Sequence, residues 1–237
     1  MKTILHTSAS RGHSNHGWLD SHHTFSFANY YNPERVHFGA LRVLNDDRVA
    51  AGEGFGTHPH DNMEIVSIPL FGDLEHKDSM GNHGTITTGE IQVMSAGTGI
   101  FHSEFNKNKD KEVQFLQIWI IPDKKSVTPR YDQISIDELT RPNELTQILS
   151  PYPNDQGVWI HQQAWFYLGE LSEGWKGKYT LNAENNGVYF FVIEGNVTVA
   201  GQLLNRRDGL GVSETGEIEI TAGSDARLLV MEVPMNG

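Results

Sequence analysis

The chain is 237 residues long, with 30 acidic against 18 basic side chains, a formal charge of −12 and no cysteine. That length accommodates one large β domain or two modest ones with a substantial core. The missing thiols exclude disulfides, thiolate metal sites and cysteine nucleophiles, and the acidic balance argues against nucleic-acid binding, which needs a basic face.

No run approaches the roughly 20 apolar residues that cross a bilayer. Ile4-Leu5 is followed at once by His6-Thr7-Ser8, so no signal-peptide core is expected at the N-terminus. Asn196-Val197-Thr198 fits a glycosylation acceptor, but without a leader it reads as a chance match. A cytoplasmic protein is expected, with no membrane contact. The basic residues at 107–111 are interrupted by Asp110 and read as a solvated turn.

In chain order, residues 11–27 are rich in histidine and aromatics and poor in strand alternation. They are expected to pack as an N-terminal arm, with a course across a barrel mouth as the alternative. Short apolar runs follow at 38–44, 64–70, 90–94 and 113–121, each ending in Gly, Asn, Asp or Pro. Closely spaced strands with such turns predict an antiparallel barrel or sandwich. The gaps are too short for the crossover helices of a parallel sheet. The proline-rich stretch 122–157 reads as a connection between halves, with a short helix at 135–139 capped by Ser135. Strands resume at 165–168, 187–193, 196–199, 217–220 and 226–231. Two segments echo earlier ones in the same order, 193–198 after 70–75 and 208–212 after 88–93, which predicts a duplicated barrel. Eleven of the twelve histidines lie at or before position 102, so the second half cannot repeat a histidine site.

The chemistry concentrates in two segments. His58 and His60 are two apart, as are His102 and Glu104, and alternate residues of a strand share a face. Pro59 favours a strand start or edge, hence a barrel mouth. Glycines at 97 and 99 allow a sharp turn before His102. Glu64 follows His60 by four, and on an uninterrupted strand it would face the same way. Spacing therefore leaves two carboxylates, one to ligate a metal and the other to orient an imidazole or act as base. His76 and His83 are expected to be solvated in a hairpin, and His6, His37 and His161 have no partner at a useful spacing. No Gly-x-Ser-x-Gly elbow or phosphate loop is present, and Gly52 to Gly56 lacks the third glycine of a dinucleotide loop.

At these segments the chain resembles the cupins, and among them the pirin family. Gly52, His58, His60 and Glu64 fit the first cupin pattern, and Gly89, Gly97 and His102 approximate the second. Ser95 stands where many cupins carry proline. Four residues rather than two separate Gly97 from His102, as in pirins. Arg11-Gly12-His13 and the stretch from Asp20 to Tyr31 also read like bacterial pirins. The resemblance implies an all-β bicupin of two jelly-roll barrels, a metal-binding one over residues 1–134 and a degenerate one without metal over 135–237. It implies His58, His60, His102 and Glu104 as metal ligands and Fe(II) as the metal, although such a donor set also admits Mn, Ni, Co, Cu or Zn. It further implies opening of the central ring of a flavonol such as quercetin by O2, with release of carbon monoxide and Glu104 as proton acceptor. The alternative it carries is an iron-containing redox sensor or transcriptional co-regulator with a protein partner.

Overall fold

The computed structural model describes residues 1–236. The first half comprises β1 (Lys2–His6), β2 (Gly12–Asn15), β3 (Leu19–His23), β4 (Leu41–Val49), β5 (Gly54–His60), β6 (Glu64–Phe71), β7 (Asp73–Asp78), β8 (His83–Thr87), β9 (Glu90–Ser95), β10 (Ile100–Asn106), β11 (Val113–Ile120) and β12 (Arg130–Ser135). The second comprises β13 (Leu145–Ser150), β14 (Val158–Trp159), β15 (Trp165–Leu171), β16 (Lys176–Thr180), β17 (Asn186–Glu194), β18 (Asn196–Val199), β19 (Gln202–Asn205), β20 (Gly209–Ser213), β21 (Glu217–Ala222) and β22 (Ala226–Pro234). A single turn of 3-10 helix at Ser8–Ser10 is the only helical element among the described residues.

The strands form two cupin-type barrels, each a seven-stranded sheet with a four-stranded one. The first barrel has the orders β12-β9-β6-β11-β4-β3-β2 and β5-β10-β7-β8. The second repeats it, with β1-β20-β17-β22-β15-β13-β14 and β16-β21-β18-β19. The predicted echo falls on equivalent places: β6 turns into β7 at Gly72 and β17 into β18 at Gly195, both glycines with φ of 76°.

Alternation along the large-sheet strands builds three layers of core. On β11, Val113 and Phe115 point into the first barrel, where they meet Leu74 and Ile86 of the small sheet. Leu116, Ile118 and Ile120 point the other way and pack with Phe166, Leu168, Tyr189, Phe191, Leu229 and Met231 of the second large sheet. The two large sheets thus pack back to back, which is why their strands read as nearly continuous apolar runs. A third cluster, around Phe190, Val197 and Ile218, fills the second barrel.

Several local expectations are corrected. No helix forms at 135–139: Ser135 ends β12, paired with Glu90, and a single turn follows in which Leu139 and Thr140 donate to the Ile136 carbonyl. The stretch 122–157 is more than a connection, since β12 extends the first large sheet and β13 the second. Residues 11–27 supply β2 and β3, paired in register onto β4. Finally, β1 pairs with β20, from Lys2 opposite Ser213 to His6 opposite Gly209. It occupies in the second sheet the place that β12 holds in the first.

Candidate metal centre

Strands β5 and β10 bring the histidines together. Their register sets His60 opposite Ile100 and His58 opposite His102, then slips by one residue so that Glu104 faces Phe55. Such a bulge re-aims side chains beside it. The strands approach closely here, and a Cβ at Gly54 would strike the backbone of Glu104 and Phe105. The turn before β10 depends on Gly97, with φ of 49° and a virtual Cβ in collision with the Val127 carbonyl.

The imidazoles of His58, His60 and His102 offer nitrogens that lie within 4.8 Å of one another. Ring centroids are 4.4 Å apart for His58 and His102 and 4.9 Å for His60 and His102. His58 Nδ1 lies 2.8 Å from the Gly56 carbonyl. A carbonyl only accepts, so Nδ1 carries the proton and Nε2 presents a lone pair. His102 is buried with neither ring nitrogen hydrogen-bonded. Burial, then the neighbouring His58 and His60, push its pKa down to about 2; burial and His58 push that of His60 down to about 4. These are neutral imidazoles with free lone pairs, the form in which histidine binds a divalent transition metal. The residues fit such an ion.

Glu104 is fully buried beside this cluster. One carboxylate oxygen accepts from the Ser67 hydroxyl at 3.1 Å and the other from Gln117 Nε2 at 2.7 Å. Burial pushes its pKa up to about 7 against those two donors. Glu104 falls in a group with His102 and His76, whose ligand atoms lie within 4.8 Å of one another, and shares only His102 with the triad.

Glu64 is elsewhere. β5 ends at His60 and β6 begins at Glu64 in a different sheet, with Asn62 between them at φ of 44°. The uninterrupted strand that would align Glu64 with His60 does not exist. Its carboxylate turns toward the layer between the barrels, accepts from Ser95 at 2.7 Å, and is pushed by burial up to about 7.

His76 is the residue that sequence reasoning placed wrongly. It is buried, one ring nitrogen lies 3.2 Å from Asp78, and its ring sits 5.4 Å from that of His102. The signal was present: Leu74, His76 and Asp78 alternate inward along β7, with the exposed Lys77 between. A further group, His13, Asp20 and His22, lies on the exposed β2–β3 hairpin, away from the triad.

Two concavities reach the triad. A cavity of about 220 Å³ is lined by His58, His60, Glu104, Gln117 and Trp119, with β3 and the following loop closing it through Ser21, His23 and Phe27. The N-terminal arm therefore does cover the site. On the outer side Pro59, Met63, Ile100, Phe101 and Trp119 line a shallow groove touching His58 and His60. A larger groove of about 760 Å³ at the end of the second barrel has no histidine in its lining, so volume does not locate the chemistry.

Residues 5–120 match the family model described as Pirin, and residues 147–233 that of the Quercetinase C-terminal cupin domain. Quercetin 2,3-dioxygenase of Escherichia coli (strain K12) is 45% identical over 230 residues, covering 97% of this chain and 98% of that protein. The chain belongs to the pirin family. Among solved structures, this pirin is similar to the bacterial pirin YhhW of Escherichia coli in complex with nickel(II), with a TM-score of 0.93 and 42% identity over 98% of this chain and 99% of that one. A pirin-like protein of Caulobacter vibrioides is 37% identical over 93% of this chain and 95% of its own length. No helix of this pirin is long and apolar enough to cross a membrane.

Proposed function

We propose that this pirin is a metal-dependent dioxygenase that opens the central ring of flavonols such as quercetin with O2 and releases carbon monoxide. The observation that carries the reading is His102, a buried imidazole with two unpartnered nitrogens, held against His58 and His60, which line the cavity. Burying an unsatisfied polar group costs about 1–3 kcal/mol, a cost that a ligated metal removes. In this reading residues 1–134 form the metal-binding unit and 135–237 the unit without metal, with β1 pairing across that division. His58, His60, His102 and Glu104 would hold the ion, Fe(II) by family resemblance; nickel(II) is the ion in the similar YhhW complex.

A divalent transition metal bound there supplies Lewis acidity toward an enolic oxygen and redox access to O2. The rest is the work of the chain. Trp119, Phe27 and Phe55 line the cavity with aromatic surface suited to a flat substrate and keep bulk water from it. Glu104 stands at the triad with Ser67 and Gln117 fixing its orientation, and is the group placed to take the flavonol hydroxyl proton. His60, whose pKa burial and then His58 push down to about 4, does not compete as a base there, since taking the proton would forfeit its lone pair.

Glu104→Gln tests the assignment. The expected outcome is loss of aerobic flavonol bleaching and carbon monoxide by about 100-fold or more, the usual scale for a general base, with the metal retained and the Gln oxygen still accepting from Ser67. Full turnover in that variant would contradict the base role.

A further inference from the structure

The cavity wall formed by the large sheet is polar where a barrel interior is ordinarily apolar. Strand register sets His23 beside Asn45, Asn45 beside Gln117 and Gln117 beside Ser67, one residue each from β3, β4, β11 and β6. Ser21 and Asp47 form the next row, paired across β3 and β4. Gln117 and Ser67 are engaged by Glu104. The other members have no such occupation. His23 Nδ1 and Asn45 Oδ1 are buried without a hydrogen-bond partner among the described residues, although both residues line the cavity. Asp47 accepts the Ser21 hydroxyl on one carboxylate oxygen, and no group among the described residues donates to the other. The nearby guanidiniums give it no help. Arg11 and Arg207 pair with Asp46, the preceding residue, which faces the opposite side of β4.

A buried polar atom without a partner, as His23 Nδ1 and Asn45 Oδ1 are, costs folding free energy that an apolar residue of similar size would spare. Burial, with the neighbouring Asp46 and Glu104 adding to it, pushes Asp47 up to about 7 against the Ser21 hydroxyl. A wall of unpartnered polar atoms on an aromatic-lined cavity calls for a hydrogen-bonding group that arrives from outside the chain. Water could satisfy the polarity, but Phe27, Phe55 and Trp119 flank the same space and favour a flat ring carrying the donor.

We propose that Asp47, with Asn45 and His23, forms a hydrogen-bonding subsite for a phenolic hydroxyl of the substrate, on the large-sheet wall of the cavity that His58 and His60 also line. The subsite deepens the flavonol reading and rests on it. It selects polyhydroxylated aromatics, because a phenolic hydroxyl both donates and accepts and so pairs with the Asp47 carboxyl in either protonation state.

The test compares quercetin with 3-hydroxyflavone, which keeps the ketone and adjacent enol but lacks the other hydroxyls. Binding is measured on metal-loaded protein under nitrogen, for wild type, Asp47→Ala and Asn45→Ala, each checked for metal content and melting temperature. Wild type is expected to prefer quercetin. Asp47→Ala should weaken quercetin about tenfold, the measure of one such hydrogen bond, and leave 3-hydroxyflavone within about twofold. Asn45→Ala should act in the same direction and by less, which keeps the test open if Asp47→Ala does not fold. Equal weakening of both ligands, or no preference in wild type, overturns the subsite while leaving the flavonol reading in place. Failure of wild type to bind either flavonol overturns both.

Discussion

Three imidazoles and two glutamates separate what residue spacing can say from what it cannot. His58 and His60 share a face because both lie on β5, and His102 meets them through the pairing of β10 with β5. Spacing two apart was enough to find them. Glu64 was ambiguous because counting by twos holds only within one strand, and the chain changes sheets at residues 61–63. A stability measurement isolates its role. The folded carboxyl sits near 7, above its unfolded value of about 4.5. Between those values the folded state holds the extra proton, so wild type loses stability as pH rises through the window and regains it as pH falls. Glu64→Gln abolishes that dependence. The variant should gain on wild type as pH rises from about 4.5 to 7 and level off above, by on the order of 3 kcal/mol, with metal content unchanged. Denaturant titrations at pH 5 and pH 8 check it. Loss of metal in this variant would put Glu64 back in the site.

At the scale of elements, strands with clean alternation were legible and those with dense polar or turn residues were not. β7 was hidden because Lys77, Asp78 and the turn at residues 79–82 read as a solvated hairpin, although Leu74, His76 and Asp78 point inward. β2 and β3 were hidden because their inward residues include Ser21 and His23, which serve the cavity rather than an apolar core. Local polarity marked the functional wall and concealed the strands that carry it. The capping pattern at 135–139 failed for a different reason: pairing of β12 with β9 outweighs a helix of barely one turn. The turn at Gly97 is the element on which the site depends most directly. Gly97→Ala forces a methyl into the Val127 carbonyl at φ of 49°. It should lower the melting temperature by about 4–8 °C, the equivalent of about 2 kcal/mol in a chain of this size, and weaken metal binding through displacement of β10. An unchanged melting temperature and metal affinity would show that the turn tolerates a side chain.

Over the whole molecule, duplication was readable and exchange was not. The repeated Gly72 and Gly195 turns disclosed two barrels, but nothing local announces that β1 belongs to the second sheet, because its partner β20 lies about 200 residues away in the chain. Arg207 binds Asp46 across the same junction, beside Arg11, and His6 on β1 lies 2.8 Å from the Tyr189 hydroxyl. The second barrel thereby supports the first, and among the described residues no group of potential metal ligands falls in it, although it holds His6 on β1 and His161. The account therefore requires a single metal site per chain, assembled from β5 and β10. Its most direct test is metal stoichiometry measured together with aerobic carbon monoxide release from quercetin, on wild type and His58→Ala. One ion per chain and carbon monoxide from wild type, with both lost in the variant, is the predicted result; carbon monoxide release unchanged by His58→Ala would contradict catalysis at this site.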